Sequence, residues 1–334
     1  MSIKIGINGF GRIGRNVFKA IMKYHKSLEI VAINDHSGAE TKAHLLKYDS
    51  IYGIYESDIN YDDENLIVDG KKIKWSSHSN PNEIDWKSSG VDIVIESSGR
   101  FRSATDTIGH INGGAKKVII SSPAKNDDIT MVLGVNESEY DKNNHQIISN
   151  ASCTTNCVAP MVKVLNDNFG FESGFMSTIH STTNDQSILD RGHKDLRRAR
   201  AAGMNIIPTT TGAAKSVGEI IPELKGKING LAFRVPTLYV SSVDLVCNLK
   251  SKVTKDEINK AFRDASNSNL KNILEITDEP LVSVDFKQNP ASCIIDSLST
   301  EVIGENLVKV IGWYDNEWGY SCRTADMVEY ITNI

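Results

Sequence analysis

The tightest constraint on this chain lies within its first 35 residues. Ile3, Ile5 and Ile7 alternate with Lys4 and Gly6, a strand pattern, and Gly9-Phe10-Gly11-Arg12-Ile13-Gly14 follows at once. Ile13, Val17, Ala20 and Ile21 then mark one face of a helix, and the apolar run Ile30–Ile33 ends in Asn34-Asp35. Strand, Gly-x-Gly-x-x-Gly, helix, strand and acid in this order predict a dinucleotide-binding unit. Each part has a physical task. Gly9, Gly11 and Gly14 allow a tight turn and close approach of backbone to a pyrophosphate, and the N-terminus of the helix attracts the anion. Asp35, at the end of the second strand, is placed to accept from the hydroxyls of an adenosine ribose.

Near-continuous apolar strands recur at Val91–Glu96, Lys117–Ser121, Met131–Val135 and Gln146–Ser149, with helical segments between. Such runs predict a parallel sheet covered on both faces, whose ligands bind beyond the carboxyl ends of the strands. Ser97-Ser98-Gly99 and Ser121-Ser122-Pro123 fall at such ends. The fold class expected for the first part is α/β, a Rossmann-type doubly wound parallel sheet.

Asn150-Ala151-Ser152-Cys153-Thr154-Thr155-Asn156-Cys157 comes directly after the last of these strands. Ser152 is a good helix N-cap and Val158, Met161, Val162 and Leu165 continue at helical spacing, so Cys153 falls in a first turn. The unpaired N–H groups there favour a thiolate, which matters because a free thiol with a pKa of ~8.5 is little ionised at neutral pH. Taken alone, the stretch also permits a buried structural cysteine. Its place after the last parallel strand puts Cys153 near the expected cofactor. Pro160 should bend the helix without ending it.

Past about residue 170 the pattern changes. His180–Pro208 lacks clear periodicity and carries Arg191, His193, Lys194, Arg197, Arg198 and Arg200, and Thr209–Lys215 offers hydroxyls and N–H groups at a helix start. Val243–Leu249 and Leu307–Tyr314 read as strands, as does the alternation of Val282, Val284 and Phe286, and Thr254-Lys255-Asp256-Glu257 reads as a capping box. A last helix is expected from about Arg323. The second part is thus an α+β domain with a mixed, largely antiparallel sheet. The 334 residues suffice for two domains, placed at 1–151 and 152–315, with the segment 316–334 packing back on the first.

A net charge of −5 argues against nucleic acid as the main partner, and no apolar run approaches the ~20 residues that cross a bilayer. The start Met1–Ile5 does not read as a signal peptide. Five cysteines spread over this length form no disulfide framework, and Cys153 and Cys157 lack a second Cys/His pair for a metal. A reducing cytoplasm is the expected location, with no membrane partner and no metal.

With these parts placed, the sequence resembles the phosphorylating glyceraldehyde-3-phosphate dehydrogenases along essentially its whole length. The resemblance rests on Ile7–Arg15, Ala43–Ser50, Ser149–Cys157, Thr183–Gln186, His193–Arg198, Pro208–Lys215 and Trp313–Tyr320. It implies an oxidoreductase of glycolysis and gluconeogenesis that converts D-glyceraldehyde 3-phosphate and inorganic phosphate to 1,3-bisphosphoglycerate. Cys153 would be the nucleophile, forming a hemithioacetal and then a thioester, and His180 the base that activates it. Thr183 and Arg234 match one phosphate site; Ser152, Thr154, Thr211 and Gly212 match the other. Arg12 and Ile13 match the pyrophosphate turn, Asp35 the ribose contact, Ser121 a nicotinamide-side contact and Asn316 the carboxamide contact. The resemblance also implies a homotetramer, with the irregular basic stretch at a subunit contact.

Arg191-Gly192 replaces the Leu-Pro usual in NAD-specific relatives, and His36-Ser37-Gly38 departs from the usual residues after the acid. Asp35 repels a 2′-phosphate whereas Arg191 offsets that repulsion, so NAD is the expected cofactor with NADP use left open. The alternatives are erythrose-4-phosphate dehydrogenase, which lacks the Thr-Asn-Asp-Gln and Thr-Gly-Ala-Ala patterns, and a catalytically silent nucleotide-binding protein.

Overall fold

The computed structural model describes residues 2–334, which divide into two compact units. The first comprises the chain up to Met131, Ser138–Ala151 and Thr324–Ile334; the second comprises Val132–Glu137 and Ser152–Arg323.

In the first unit a nine-stranded sheet runs in the order Ile129–Thr130, Ile147–Ser149, Lys117–Ile120, Ile93–Glu96, Ile3–Asn8, Leu28–Asn34, Lys71–Ser76, Asn65–Val68, Ile59–Tyr61. Every pairing from Ile129–Thr130 through Lys71–Ser76 is parallel, and the last two are antiparallel. The order turns outward in both directions from the glycine-loop strand and its neighbour Ile93–Glu96, the topological switch point at which ligands bind in such sheets. Ile93–Glu96 is buried along its whole length, as expected of a strand covered on both faces. Behind it a buried relay fixes the loop. Trp86 Nε1–H donates to His110 Nδ1 at 3.0 Å, so His110 donates through Nε2 to Glu96 Oε2, also at 3.0 Å. Glu96 in turn accepts from the Asn8 side chain and the Ser98 N–H, at the two segments that meet beside Gly9.

Two expectations fail here. Met131–Val135 is a turn, not a strand: Gly134 has φ 83°, Val135 N–H donates to Val132 O, and Val132 N–H donates to Asn136 Oδ1 at 2.9 Å. The edge strand is instead the short Ile129–Thr130. The last helix, Trp318–Asn333, begins well before Arg323 because Asp315 Oδ1 accepts from the Glu317 and Trp318 N–H groups and so caps it. Its second half lies in the first unit, where His25 contacts Asp326 at 2.9 Å and Glu329 at 3.0 Å.

The second unit is built on a seven-stranded sheet in the order Ile207–Thr210, Ile228–Val235, Phe171–Ser181, Ser241–Leu249, Leu307–Tyr314, Cys293–Ile303, Leu274–Thr277. Four of its six pairings are antiparallel; Phe171–Ser181 with Ile228–Val235 and Leu274–Thr277 with Cys293–Ile303 are parallel. Helix Cys153–Phe169 runs on through Pro160 and packs closely on Leu307–Tyr314. A Cβ at Gly312 would come within 2.7 Å of Met161 Sδ, so this approach requires glycine. Cys157, fully buried, points its Sγ at Gly312 O, 3.8 Å away. The capping box at Thr254 and Glu257 forms as expected. Val282–Phe286 does not form a strand: Asp285 accepts from the Val282 N–H at 2.9 Å and closes a helical turn. The turn exposes Val282 and Val284 while Phe286 stacks on Trp313, centroids 5.4 Å apart.

Among the described residues no helix is long and apolar enough to cross a membrane, and no group of His, Cys, Asp and Glu is placed to hold a metal ion.

Candidate active site

Helix Cys153–Phe169 starts where the sequence places it. The Ser152 hydroxyl accepts from the Thr155 N–H at 3.0 Å as the N-cap, and Cys153 is the first helical residue. Just before the cap, buried Ala151 holds φ 50°. That left-handed conformation costs a residue with a Cβ ~1 kcal/mol.

His180 is brought to the thiol by strand register. It lies near the end of Phe171–Ser181, and its parallel neighbour places Arg234 directly beside it. Cys153 Sγ and His180 Nε2 are 3.5 Å apart. His180 Nδ1 lies 2.7 Å from Ser181 O and 2.8 Å from Arg234 Nη1, and Nη1 itself lies 3.1 Å from Ser181 O. A carbonyl only accepts, so Nδ1–H and Nη1–H can both donate to Ser181 O, which leaves the Nε2 lone pair facing the thiol. Burial lowers the His180 pKa to about 3, and the Arg234 charge adds to this. Burial also pushes the Cys153 thiol up, although Arg234 and the Thr154 hydroxyl and N–H pull it down. The thiolate preference expected from the helix N-terminus is therefore outweighed by desolvation. The geometry is that of a neutral thiol facing a neutral base, with the proton positioned to cross as the sulfur attacks.

Nothing in the sequence marks Tyr314 for a role, yet its buried hydroxyl joins Thr154 Oγ1 at 2.8 Å to Thr178 Oγ1 at 2.9 Å. Its ring meets the His180 ring edge-on at 6.1 Å. It stands in the quoted motif Trp313–Tyr320, but only the pairing of Ser241 with Tyr314 across the sheet shows what the motif aligns. Ser241 was missed too. Its hydroxyl accepts from the Ser181 N–H and donates to Asn316 Oδ1, both at 3.0 Å, which turns the Asn316 amide so that its NH2 is left to donate.

Arg234 Nε is buried and has no hydrogen-bond partner among the described residues, so one tine of its fork is free for an anion. The other expected phosphate residues make local bonds. The Thr183 N–H donates to Gln186 Oε1 at 3.0 Å, and Thr211 Oγ1 accepts from the Ala213 N–H at 3.2 Å. Gly212 caps helix Ala213–Ile220 without a side chain, and an added Cβ there would meet nothing within 4 Å. Arg198 ties these segments together: it pairs with Asp185 and donates to Thr209 Oγ1 at 2.9 Å and Thr210 O at 3.1 Å. Arg191, in the same irregular region, is exposed, and its guanidinium donates to Ser187 Oγ.

In the first unit a cavity opens over the glycine loop, lined among others by Gly9, Gly11, Asp35, Ser97 and Arg100. The residues fit a dinucleotide. Gly9 has φ 89° and an added Cβ would lie 2.3 Å from Ser98 Cα, whereas one at Gly11 would meet nothing within 4 Å. Gly11 caps helix Arg12–Tyr24 without a side chain, so no capping side chain stands where an anion would meet the helix start. The Arg12 side chain itself lies 3.4 Å from Asp49. Asp35 accepts from the N–H groups of Phe10 and Ser37. Ser121 follows strand Lys117–Ile120 directly, its N–H bonded to Glu96 O.

A dinucleotide-binding sheet in one unit and a paired thiol and imidazole in the other are the parts of a dehydrogenase. Residues 3–104 match the family described as glyceraldehyde 3-phosphate dehydrogenase, NAD binding domain, and residues 152–316 match its C-terminal domain. Glyceraldehyde-3-phosphate dehydrogenase of Priestia megaterium is 56% identical over 331 residues, covering 99% of this chain and 98% of the relative. The enzymes of the same name from Geobacillus stearothermophilus and Streptomyces coelicolor are each 55% identical, covering 100% of this chain and 99% of each relative. The chain belongs to the glyceraldehyde 3-phosphate dehydrogenase family.

Proposed function

We propose that the chain catalyses the phosphorylating oxidation of D-glyceraldehyde 3-phosphate to 1,3-bisphosphoglycerate with reduction of NAD. The observation that carries this reading is the 3.5 Å contact between Cys153 Sγ and His180 Nε2, with Arg234 beside it in register. Cys153 Sγ attacks the aldehyde carbon as its proton passes to Nε2, giving a hemithioacetal oxyanion. Bound NAD supplies the hydride acceptor. Loss of hydride from the former aldehyde carbon leaves a thioester on Cys153. An oxygen of inorganic phosphate then attacks that carbon, the C–S bond breaks, and the released sulfur regains a proton through His180. His180 thus moves one proton in each direction, which suits a ring held neutral and oriented by Ser181 O.

Two phosphate groups must be held. Arg234 and Thr183 serve one, supported by the free Arg234 Nε. Ser152, Thr154, Thr211 and Gly212 serve the other, supported by the start of helix Ala213–Ile220, whose Gly212 N-cap contributes no side chain. Gly9, Gly11, Arg12, Ile13 and Gly14 hold the pyrophosphate, Asp35 the ribose, and Ser121 and Asn316 the nicotinamide side. The chain works as a cytoplasmic homotetramer. Ile188, Leu189, Leu196, Met204 and Ile206 are 69–90% exposed around the irregular segment, and so much apolar surface suits a subunit contact.

The test is aldehyde-dependent NADH formation with and without phosphate, on glyceraldehyde 3-phosphate and on erythrose 4-phosphate. Phosphate-dependent turnover preferring the triose, lost in Cys153→Ser while NAD binding persists, is expected. Phosphate-independent turnover preferring the tetrose, or an active Cys153→Ser variant, would refute the assignment.

A further inference from the structure

The acid that reads the adenosine ribose is not alone in this chain. Lys42, on helix Ala39–Lys47, lines the same cavity as Asp35, and its Nζ lies 3.1 Å from Asp35 Oδ2. Both side chains are nearly buried, Lys42 at 10% and Asp35 at 4% exposure. A carboxylate offers about four lone-pair positions. Oδ2 already accepts from the Phe10 N–H at 2.7 Å and from Lys42, and Oδ1 accepts from the Ser37 N–H at 2.9 Å. About one position then remains for a ribose hydroxyl, where a bidentate clamp on both hydroxyls would use two.

The charge balance points the same way. Discrimination against a 2′-phosphate by an acid depends on an uncompensated negative charge close to it. Here Asp35 is neutralised by an ammonium that spends one of its three N–H donors on it. Arg100 also lines the cavity, so its two fixed cations, Lys42 and Arg100, outnumber its one carboxylate. Asp35 remains ionised in this setting. Burial would raise its pKa, but the Ser37 N–H, the Lys42 charge and the Phe10 N–H lower it overall.

We propose that Lys42 is a specificity residue, which cancels the repulsion from Asp35 and donates to a 2′-phosphate, so that the site binds NADP as well as NAD. The proposal rests on reading this cavity as the adenosine end of the cofactor site. It differs from a role for Arg191, because Lys42 belongs to the ribose pocket itself. The opposing account makes Lys42 a structural counter-ion for a buried acid, indifferent to what occupies the cavity.

Calorimetric titration separates these accounts without turnover. The probes are NAD, NADP, ADP-ribose and 2′-phospho-ADP-ribose, titrated into the wild-type protein, Lys42→Met and Lys42→Arg, with melting temperature as the check on folding. Wild-type affinities for NADP and NAD within about tenfold of each other are expected. Removal of a charged hydrogen-bond donor in Lys42→Met should weaken both 2′-phosphorylated probes by about tenfold or more and the other two by less than about threefold. Lys42→Arg, which keeps the charge, should restore most of the loss. Equal weakening of all four probes in Lys42→Met, or wild-type protein that binds ADP-ribose but neither phosphorylated probe, would overturn the proposal alone. Failure of the wild-type protein to bind ADP-ribose would overturn the cofactor-site reading and the proposal with it.

Discussion

Tyr314→Phe tests whether the second unit is organised as described, because it removes one oxygen atom and leaves the ring in place. That oxygen bridges Thr154 Oγ1 and Thr178 Oγ1, and all three residues are buried. Each of the two bonds contributes about 1 kcal/mol net, and both threonine hydroxyls lose a partner where no water readily replaces it, so a loss of about 2 kcal/mol is expected. In a unit of this size that corresponds to a fall in melting temperature of about 4–8 °C. Thr154 follows the proposed nucleophile, and its freed side chain no longer holds one geometry towards a phosphate. The KM for inorganic phosphate should therefore rise several-fold while the KM for NAD is unchanged. Differential scanning calorimetry of both proteins, with steady-state kinetics at varied phosphate, provides the readout. A melting temperature within about 1 °C of wild type, or equal changes in the two KM values, would show that the bridge does not support the site.

His180→Asn keeps a polar side chain but removes the proposed base, and kcat/KM for the triose should fall by about 10²–10⁴-fold; stopped-flow and steady-state rates give the value, and a loss under about tenfold would exclude general-base action. Folding of the first unit should carry a pH signature from His25. Burial alone would lower its pKa, but Asp326 and Glu329 outweigh this and raise it. Because the folded pKa lies above the unfolded value of ~6.5, the stabilisation is complete below that pH and is lost as pH rises through the folded pKa. The stability difference between wild type and His25→Gln, measured by urea denaturation, should shrink as pH rises; a difference that grows would reverse the assignment.

The first unit was legible because its signals are local: glycine loop, apolar strands and acid follow one another within a few turns of chain. Where local pattern and pairing diverge, the reading failed. Met131–Val135 is apolar enough for a strand, yet Gly134 and the Asn136 side chain turn it, and Val282–Phe286 alternates like a strand while Asp285 closes it into a helical turn. In the site, Cys153 announced itself through its N-cap and flanking hydroxyls. His180 and Arg234 did not, because their proximity is a matter of register between strands separated by more than 40 residues of chain. Resemblance supplied their roles. Tyr314, Ser241 and Lys42 stayed hidden for a related reason, since each acts by touching a residue distant in sequence or by neutralising one.

The claim on which the account depends most is that oxidation proceeds through a covalent bond to Cys153. Incubation with D-glyceraldehyde 3-phosphate and NAD in phosphate-free buffer, followed by acid quench and peptide mass spectrometry, tests it directly. The account predicts one 3-phosphoglyceroyl group per chain on Cys153, discharged when inorganic phosphate is added. An acyl group on another residue, or NADH formation at full rate with Cys153 unmodified throughout, would contradict it.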